Sequence, residues 1–335
     1  MKTAVVVPNW NGEAFVAECI DSLLAQSAKP TVIVVDNASV DGSRSILEAY
    51  GNQIVTIYRD RNYGFTGGVN PGIEYAIDHD FDAVALLNND AVAHKDWLAR
   101  LVAELKNDTG IVTCQLQSID GKTIDSTGDQ LTSWGLPYPR NRGTAVAKSH
   151  VTNGEFIFSA SGGASLYSVS MLREIGLFDD DFFAYYEDVD LSFRAQLAGW
   201  KVYYTPRAIA YHRIGATSSR LKDFGVYQTF KNLPWVLIKN LPHGLILRTW
   251  VRFKLVYLLF FANAVVQGQG VAALRGLFAC LRLVPRKFAQ RRAIQRHKKV
   301  SASYIDSMLT HDLPENSHKL RRLRALWWKI KGMKA

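Results

Sequence analysis

Cysteine is scarce in this 335-residue chain, with Cys19, Cys114 and Cys280 set far apart. That number and spacing exclude a disulfide framework or a zinc finger and fit a reduced, cytosolic compartment. Long apolar runs are also missing. The longest uncharged one, Leu255 to Val266, has 12 residues and includes Asn263, whereas a membrane-spanning helix needs about 20. The N-terminus runs from Met1-Lys2 straight into the β-branched stretch Thr3 to Val7, with no apolar h-region and no small-residue cleavage site. Export is therefore not expected. Two phosphate-binding signatures are absent as well: the glycine-rich stretch Asn62 to Asn70 lacks G-x-G-x-x-G spacing, and no Lys-Ser or Lys-Thr closes it as in a Walker loop.

What is present is enough apolar residue, 48%, to bury a full core. The net charge of +10 hides an uneven distribution. Residues 1–215 hold 17 Lys+Arg against 26 Asp+Glu, residues 216–281 hold 8 against 1, and residues 282–335 hold 15 against 3. An acidic body thus carries a strongly basic C-terminal third.

From Thr3 to Cys114, short β-branched runs (5–7, 32–35, 54–57, 84–87, 111–112) alternate with amphipathic stretches near 14–26, 43–50, 70–78 and 95–106. Such alternation predicts an α/β fold with a mostly parallel sheet, whose ligands lie beyond the carboxyl ends of the strands. The segments found there are Pro8 to Gly12, Asp36 to Ser43 and Asn88-Asn89-Asp90, with the glycine-rich Asn62 to Asn70 between them. Turn chemistry accounts for any one of these; four at successive strand ends point to a binding cleft. Asn62 to Asn70 reads as a loop leading into a helix, its glycines permitting close approach of a ligand. Asp90 stands where a hard cation would bridge to a diphosphate, so a nucleotide diphosphate is the expected ligand. Residues 115–160 read as short strands and loops, and Ser159 to Ser165 is small enough to let a second molecule reach the backbone.

A dense acidic-aromatic segment follows, Phe178 to Arg194. Val189, Phe193 and Leu197 give it a helical spacing, with Glu187 and Asp188 at the helix start and Asp190 paired with Arg194 as an exposed i,i+4 ion pair. Acids at that position serve either as a general base or simply as complements to the helix dipole. Asp179, Asp180 and Asp181 read as a solvated turn. Val202 to Tyr204 and Ile209 to Tyr211 read as two strands ending at His212.

Together, Asp36-Asn37-x-Ser39-x-Asp41-Gly42-Ser43, Asn62-x-Gly64-Phe65-x-Gly67-Gly68-x-Asn70-x-Gly72, Leu87-Asn88-Asn89-Asp90 and Glu187-Asp188-x-Asp190-Leu191-x-x-Arg194 resemble the inverting glycosyltransferases of family 2. Within that family they look most like bacterial rhamnosyltransferases. The resemblance spans about residues 3–220 and implies a GT-A fold over 1–220. Its nucleotide-binding half would be 1–114 and its acceptor-binding half 115–220, with 221–335 a basic, helical, membrane-associating extension. It further implies that Pro8, Asn9 and Asn37 line the nucleotide, that Asp36 accepts from the pyrimidine ring N–H, and that Asn62, Gly64, Phe65, Gly67, Gly68, Asn70, Asn88 and Asn89 lie along the donor. Asp90 matches the last acid of the family's DxD motif and His212 a further ligand for Mg²⁺ or Mn²⁺. Asn88 stands where an acid is usual, which leaves the cation one fewer negative charge. Asp188 matches the catalytic base, with Glu187 second choice; Gly162, Gly163, Tyr185 and Tyr186 would meet the acceptor.

The implied reaction moves L-rhamnose from dTDP-rhamnose to a polyprenyl-diphosphate-linked saccharide in cell-wall or surface polysaccharide synthesis. The alternatives are a UDP-hexose donor, or a non-catalytic sugar-nucleotide-binding scaffold at a membrane. In the basic third, residues 233–285 read as a shallow insertion or a buried helical hairpin. Residues 319–335 have the pattern of an interfacial helix on an anionic membrane, at the cytoplasmic face. Nucleic-acid binding is not expected, because no recognition fold accompanies the charge.

Overall fold

The structure is a computed structural model, and it describes residues 1–149, 152–215 and 223–313. The expected interfacial helix at 319–335 lies outside the described residues. The first half of the chain runs β1 (Thr3–Asn9), α1 (Val16–Leu24), β2 (Thr31–Asp36), α2 (Ser43–Ala49), β3 (Val55–Tyr58), α3 (Gly64–Asp78), β4 (Ala83–Leu87), β5 (Ala91–Ala93), α4 (Trp97–Val102) and β6 (Thr109–Ser118). After it come β7 (Ile124–Ser126), β8 (Asp129–Leu131), β9 (Pro137–Pro139), β10 (Glu155–Ile157), β11 (Ala164–Ser168), α5 (Val169–Ile175), α6 (Glu187–Leu197) and β12 (Lys201–His212). Four helices complete the described chain: α7 (Phe224–Asn240), α8 (Ile246–Val266), α9 (Gly270–His297) and α10 (Ala302–Met308).

One sheet organises the body, in the order β10-β12-β6-β11-β4-β1-β2-β3. β4, β1, β2 and β3 are parallel, and β11 enters antiparallel between β4 and β6. β1 is apolar from Ala4 to Pro8 because both its faces are covered. Val5 and Val7 pack with α1, α2 and α4 on one side, while Ala4 and Val6 pack with α3, α5 and α6 on the other. The chain leaves β1 for β2 on one side and reaches β4 on the other. That reversal opens a crevice at the carboxyl end of the sheet.

Helix α6 is buried along its length because it is covered twice. Leu191 and Ala195 face the sheet, whereas Val189, Phe193 and Leu197 pack with Trp235 and Val236 of α7 and Cys280 of α9. The pairing of Asp190 with Arg194 holds at 3.0 Å, but it is buried rather than exposed, since α7 lies over it. Asp179 to Asp181 are likewise not a solvated turn. Lys239 reaches Asp179 at 2.6 Å and Asp190 at 2.8 Å, and Lys287 reaches Asp179 at 2.8 Å and Asp181 at 2.7 Å. The buried lysines of α7 and α9 thereby fasten the basic helices to the acidic segment.

Three further differences concern elements. The glycine-rich stretch is not a loop: α3 begins at Gly64, and its glycines let it press against the sheet. A Cβ on Gly72 would stand 2.5 Å from Val6 Cγ1, and one on Gly68 would stand 3.0 Å from Pro8 Cβ. The two strands expected at 202–204 and 209–211 are one strand, β12, with a register shift between Thr205 and Ile209. β5, three residues long, has too short a pattern to be read.

Candidate active site

The carboxyl ends of β1, β2 and β4 bring Asn9, Asn37 and Asn88 to Asp90 to one cleft of about 400 Å³. Its walls also include Pro8, Trp10, Asn62, Gly64 and Phe65, with Tyr185 and His212 opposite. An adjoining chamber of about 520 Å³ is lined by Gly162, Gly163, Tyr186, Glu187 and Asp188. Phe65, Asn88, Arg142, Tyr185 and His212 border both chambers, so the two are continuous.

Amide side chains stiffen the first chamber. Asn9 donates to Asp36 Oδ1 at 2.9 Å and accepts from Asn89 at 2.8 Å, and Asn37 donates to Asn62 Oδ1 at 3.0 Å and to the Gly64 carbonyl at 2.8 Å. Asp36 itself lies behind the wall, 3% exposed. Its carboxylate is already engaged, Oδ1 by Asn9 and the Ser39 hydroxyl and Oδ2 by the Ser39 N–H. Asp36 thereby supports Asn9. Asn70 also faces away from the cleft. It binds the Phe178 carbonyl at 2.9 Å and Asp180 at 2.8 Å, which ties α3 to the acidic segment. Gly67 opens on a separate surface depression beside Arg59, Arg61 and Glu74, and Gly68 meets Pro8 and Asn37.

Asp90 and His212 stand together, Oδ1 to Nε2 at 3.2 Å, and His212 Nδ1 lies 2.8 Å from Asp125 Oδ2. Burial favours neutral imidazole, yet the flanking carboxylates outweigh it and raise the His212 pKa to about 9. Arg142 completes the row at 2.7 Å from Asp125. One carboxylate and one imidazole facing the cleft suit Mg²⁺ or Mn²⁺, and Asp125 behind His212 is the partner that would orient a ligating ring. Among the described residues no three His, Cys, Asp or Glu side chains form a ready cage. A cation there would complete its shell with substrate oxygens and water.

In the second chamber, Asp188 is held by two backbone donors, Gly162 N–H to Oδ2 at 3.0 Å and Val189 N–H to Oδ1 at 2.8 Å. Burial raises its pKa, and those two donors oppose the rise. Glu187 has no such pair of donors, only its own backbone N–H. Burial first, and then the neighbouring Asp188, push its carboxyl well above the ordinary range, and Oε2 has no hydrogen-bond partner. Asp129, at the start of β8, is raised for the same two reasons. Of three adjoining carboxyls, Asp188 is the one built to carry charge.

The backbone that presents this site is strained. Phe183, Tyr185 and Tyr186 take φ of 64°, 69° and 71°, a left-handed conformation costly for bulky residues. Asn232 of α7 holds the turn by donating to the carbonyls of Phe182, Ala184 and Tyr185 at 2.9, 2.8 and 2.9 Å. Lys231 adds bonds to the carbonyls of Asp181 and Phe182, both at 3.1 Å. Gly64 is needed opposite the turn: a Cβ there would stand 2.3 Å from the Phe183 carbonyl oxygen. Sequence reasoning did not find Asp125, Asp129, Arg142 or Asn232, because none sits in a motif or at a readable strand end.

Comparison with known proteins agrees with this architecture. Among curated proteins, the chain is 25% identical over 237 residues to the low-salt glycan biosynthesis hexosyltransferase Agl10 of Haloferax volcanii, covering 68% of this chain and 73% of that one. It is 29% identical over 196 residues to the uncharacterized glycosyltransferase RP339 of Rickettsia prowazekii, covering 57% of each. Two solved structures share the fold. GalNAc-T7 with UDP, GalNAc and Mn²⁺ has a TM-score of 0.57 at 17% identity, over 71% of this chain and 48% of that one. Staphylococcus aureus TarS 1–349 with UDP-GlcNAc has 0.54 at 18%, over 94% and 95%. The fold is therefore GT-A. The model of the family described as Glycosyl transferase family 2 matches residues 4–176, more than half of the chain, and the protein belongs to that family.

Proposed function

We propose that the protein is an inverting, cation-assisted glycosyltransferase that moves L-rhamnose from dTDP-rhamnose to a polyprenyl-diphosphate-linked saccharide. The observation that carries the catalytic part is the continuity of the two chambers, with Asp90 in one and Asp188 in the other. The nucleotide lies in the first chamber against Pro8, Asn9, Asn37 and Asn62. Its sugar reaches the shared wall at Phe65, Asn88 and Tyr185, and the acceptor enters past Gly162, Gly163 and Tyr186.

Asp188 then takes the proton of the acceptor hydroxyl as that oxygen attacks the anomeric carbon. The new C–O bond forms as the bond to the diphosphate breaks on the opposite face, so one displacement inverts the centre. Asp90 and His212 are the residues that would hold a divalent cation, whose contribution is to neutralise charge on the departing diphosphate. The Gly162 and Val189 N–H groups favour the ionised form of Asp188 against its burial, while burial and the neighbouring Asp188 disfavour a second charge on Glu187.

The assignment of rhamnose rests on the sequence resemblance. A UDP-hexose donor is the second reading, favoured by the UDP bound to GalNAc-T7 and the UDP-GlcNAc bound to TarS 1–349, two fold neighbours. A silent scaffold fits less well, because it would not need a carboxylate held by two backbone donors in the chamber next to Asp90. The test is a mass-spectrometric screen of nucleotide sugars for turnover. Turnover of dTDP-rhamnose above the UDP-hexoses is expected, and preference for a UDP-hexose would replace the donor assignment.

A further inference from the structure

Helices α8 and α9 carry a surface that neither the sheet nor the cleft uses. On α8, Leu247, Val251, Leu255 and Leu258 recur at helical spacing and are 55–79% exposed, opposite Phe253 and Val256, which pack on Leu233 and Leu237 of α7. On α9, Val271, Leu274, Phe278, Leu281 and Phe288 recur in steps that keep one face, and all are exposed. The opposite face of α9 is pressed on α7 so closely that a Cβ on Gly276 would stand 2.4 Å from the Tyr227 carbonyl. Both apolar rows therefore point away from the body. Rows of this size on a protein surface mark an interaction site.

Charge identifies the occupant. Residues 246–297 contain ten Lys and Arg and no Asp or Glu. Arg248, Arg286 and Lys287 are spent on Asp306, Asp181 and Asp179. Lys254, Arg275, Arg282, Arg292 and Arg296 are exposed and make no ion pair among the described residues. A second copy of the chain would set these cations against each other. Residues 314–335, with seven Lys+Arg and one Glu, have the same sign. Among the described residues no helix is long and apolar enough to cross a membrane.

We propose that the outer face of α8 and α9 docks in the plane of an anionic lipid bilayer, its apolar rows sunk to the acyl boundary and its cations at the headgroups. This rests on the reading of a lipid-linked acceptor and says which surface brings the enzyme to it. The experiment is co-sedimentation of the full chain with phosphatidylcholine vesicles, with and without one-third phosphatidylglycerol. The wild type should bind the anionic vesicles only. The triple variant Val251→Glu, Leu258→Glu, Phe278→Glu should lose roughly tenfold in partitioning per side chain. The triple variant Lys254→Gln, Arg275→Gln, Arg282→Gln should lose about fivefold per charge. Both should keep the wild-type melting curve and turnover of a water-soluble acceptor; if the first fails to fold, the single Leu258→Gln, expected to lose severalfold, replaces it.

Undiminished binding of the apolar variant, equal binding to neutral vesicles, or binding lost only on truncation after Leu313 would overturn the proposal. So would a vesicle-free dimer that the apolar variant dissociates in the ultracentrifuge. Absence of turnover with any acceptor would count against the catalytic reading and leave the vesicle result standing.

Discussion

Replacing Asn232 by Ala removes one side-chain amide from a position that is 0% exposed. Its two N–H groups serve three carbonyls, those of Phe182, Ala184 and Tyr185, at 2.8–2.9 Å. Leaving such carbonyls unpaired costs about 1–3 kcal/mol each where water does not reach. The Phe182 carbonyl keeps its bond from Lys231 at 3.1 Å, so two carbonyls are left unpaired and the rigid-backbone cost is about 2–6 kcal/mol. The turn has another course, because Phe183, Tyr185 and Tyr186 each regain about 1 kcal/mol or more on leaving the left-handed region. Relaxation of the turn therefore limits the loss of global stability to at most about 3 kcal/mol, while Asp188, two residues beyond the turn, loses its position. Urea denaturation should show a lower midpoint at unchanged slope, and transfer should fall by more than the stability loss explains. Asn232→Asp, which sets a carboxylate against three carbonyl oxygens, should be worse than Ala. An Ala variant with wild-type midpoint and wild-type transfer would refute the claim that α7 holds the turn.

Two further outcomes concern charge. Lys239→Met removes the buried cation that Asp179 and Asp190 share, leaving them Lys287 and Arg194 alone, and should cost about 3 kcal/mol in denaturant unfolding, the low end for breaking a buried pair. Both carboxyls are held below the ordinary range because, although burial alone would raise them, the nearby cations prevail, Lys239 and Lys287 at Asp179 and Lys239 and Arg194 at Asp190. With folded pKa values depressed, their stabilisation is present above the ordinary Asp value, about 3.9, and is lost as the pH falls below it toward the folded values. The wild type should therefore weaken steeply in that acid range and Lys239→Met less steeply, as read from melting temperature against pH. At the other site, Asp125→Asn should weaken Mn²⁺-dependent donor binding by about 10–100-fold in calorimetry, the effect of losing the partner that orients a ligating His. Asp90→Ala should weaken it further, and an unchanged metal titration in both variants would remove the cation from this pair.

The sheet was legible where covering on both faces turns a strand into an unbroken apolar run, as in Val5 to Val7, Val32 to Val35 and Val84 to Leu87. The cleft was legible because Asn9, Asn37, Asn88 and Asp90 follow those runs directly. The glycines of α3 looked like a loop, yet at Gly68 and Gly72 they serve the close contact of a helix with β1, which composition alone does not distinguish from room for a ligand. Asp179 to Asp181 looked solvated because their lysines, Lys239 and Lys287, arrive from helices far along the chain, and no local period records such a partner. The same holds for Asn232. The partners Asp125 and Asp129 come from the irregular segment after β6, where strands of three residues carry no readable pattern.

In the proposed reaction Asp188, and not Glu187, removes the acceptor proton. The direct measurement is transfer by Asp188→Asn and by Glu187→Gln beside calorimetric donor binding by each. Asp188→Asn should lose about 10²–10⁴-fold in rate with donor affinity nearly intact. Glu187→Gln should keep most of the rate, because burial and the neighbouring Asp188 already disfavour a charge on that carboxyl. Full activity in Asp188→Asn, or a loss confined to Glu187→Gln, would contradict the role of Asp188.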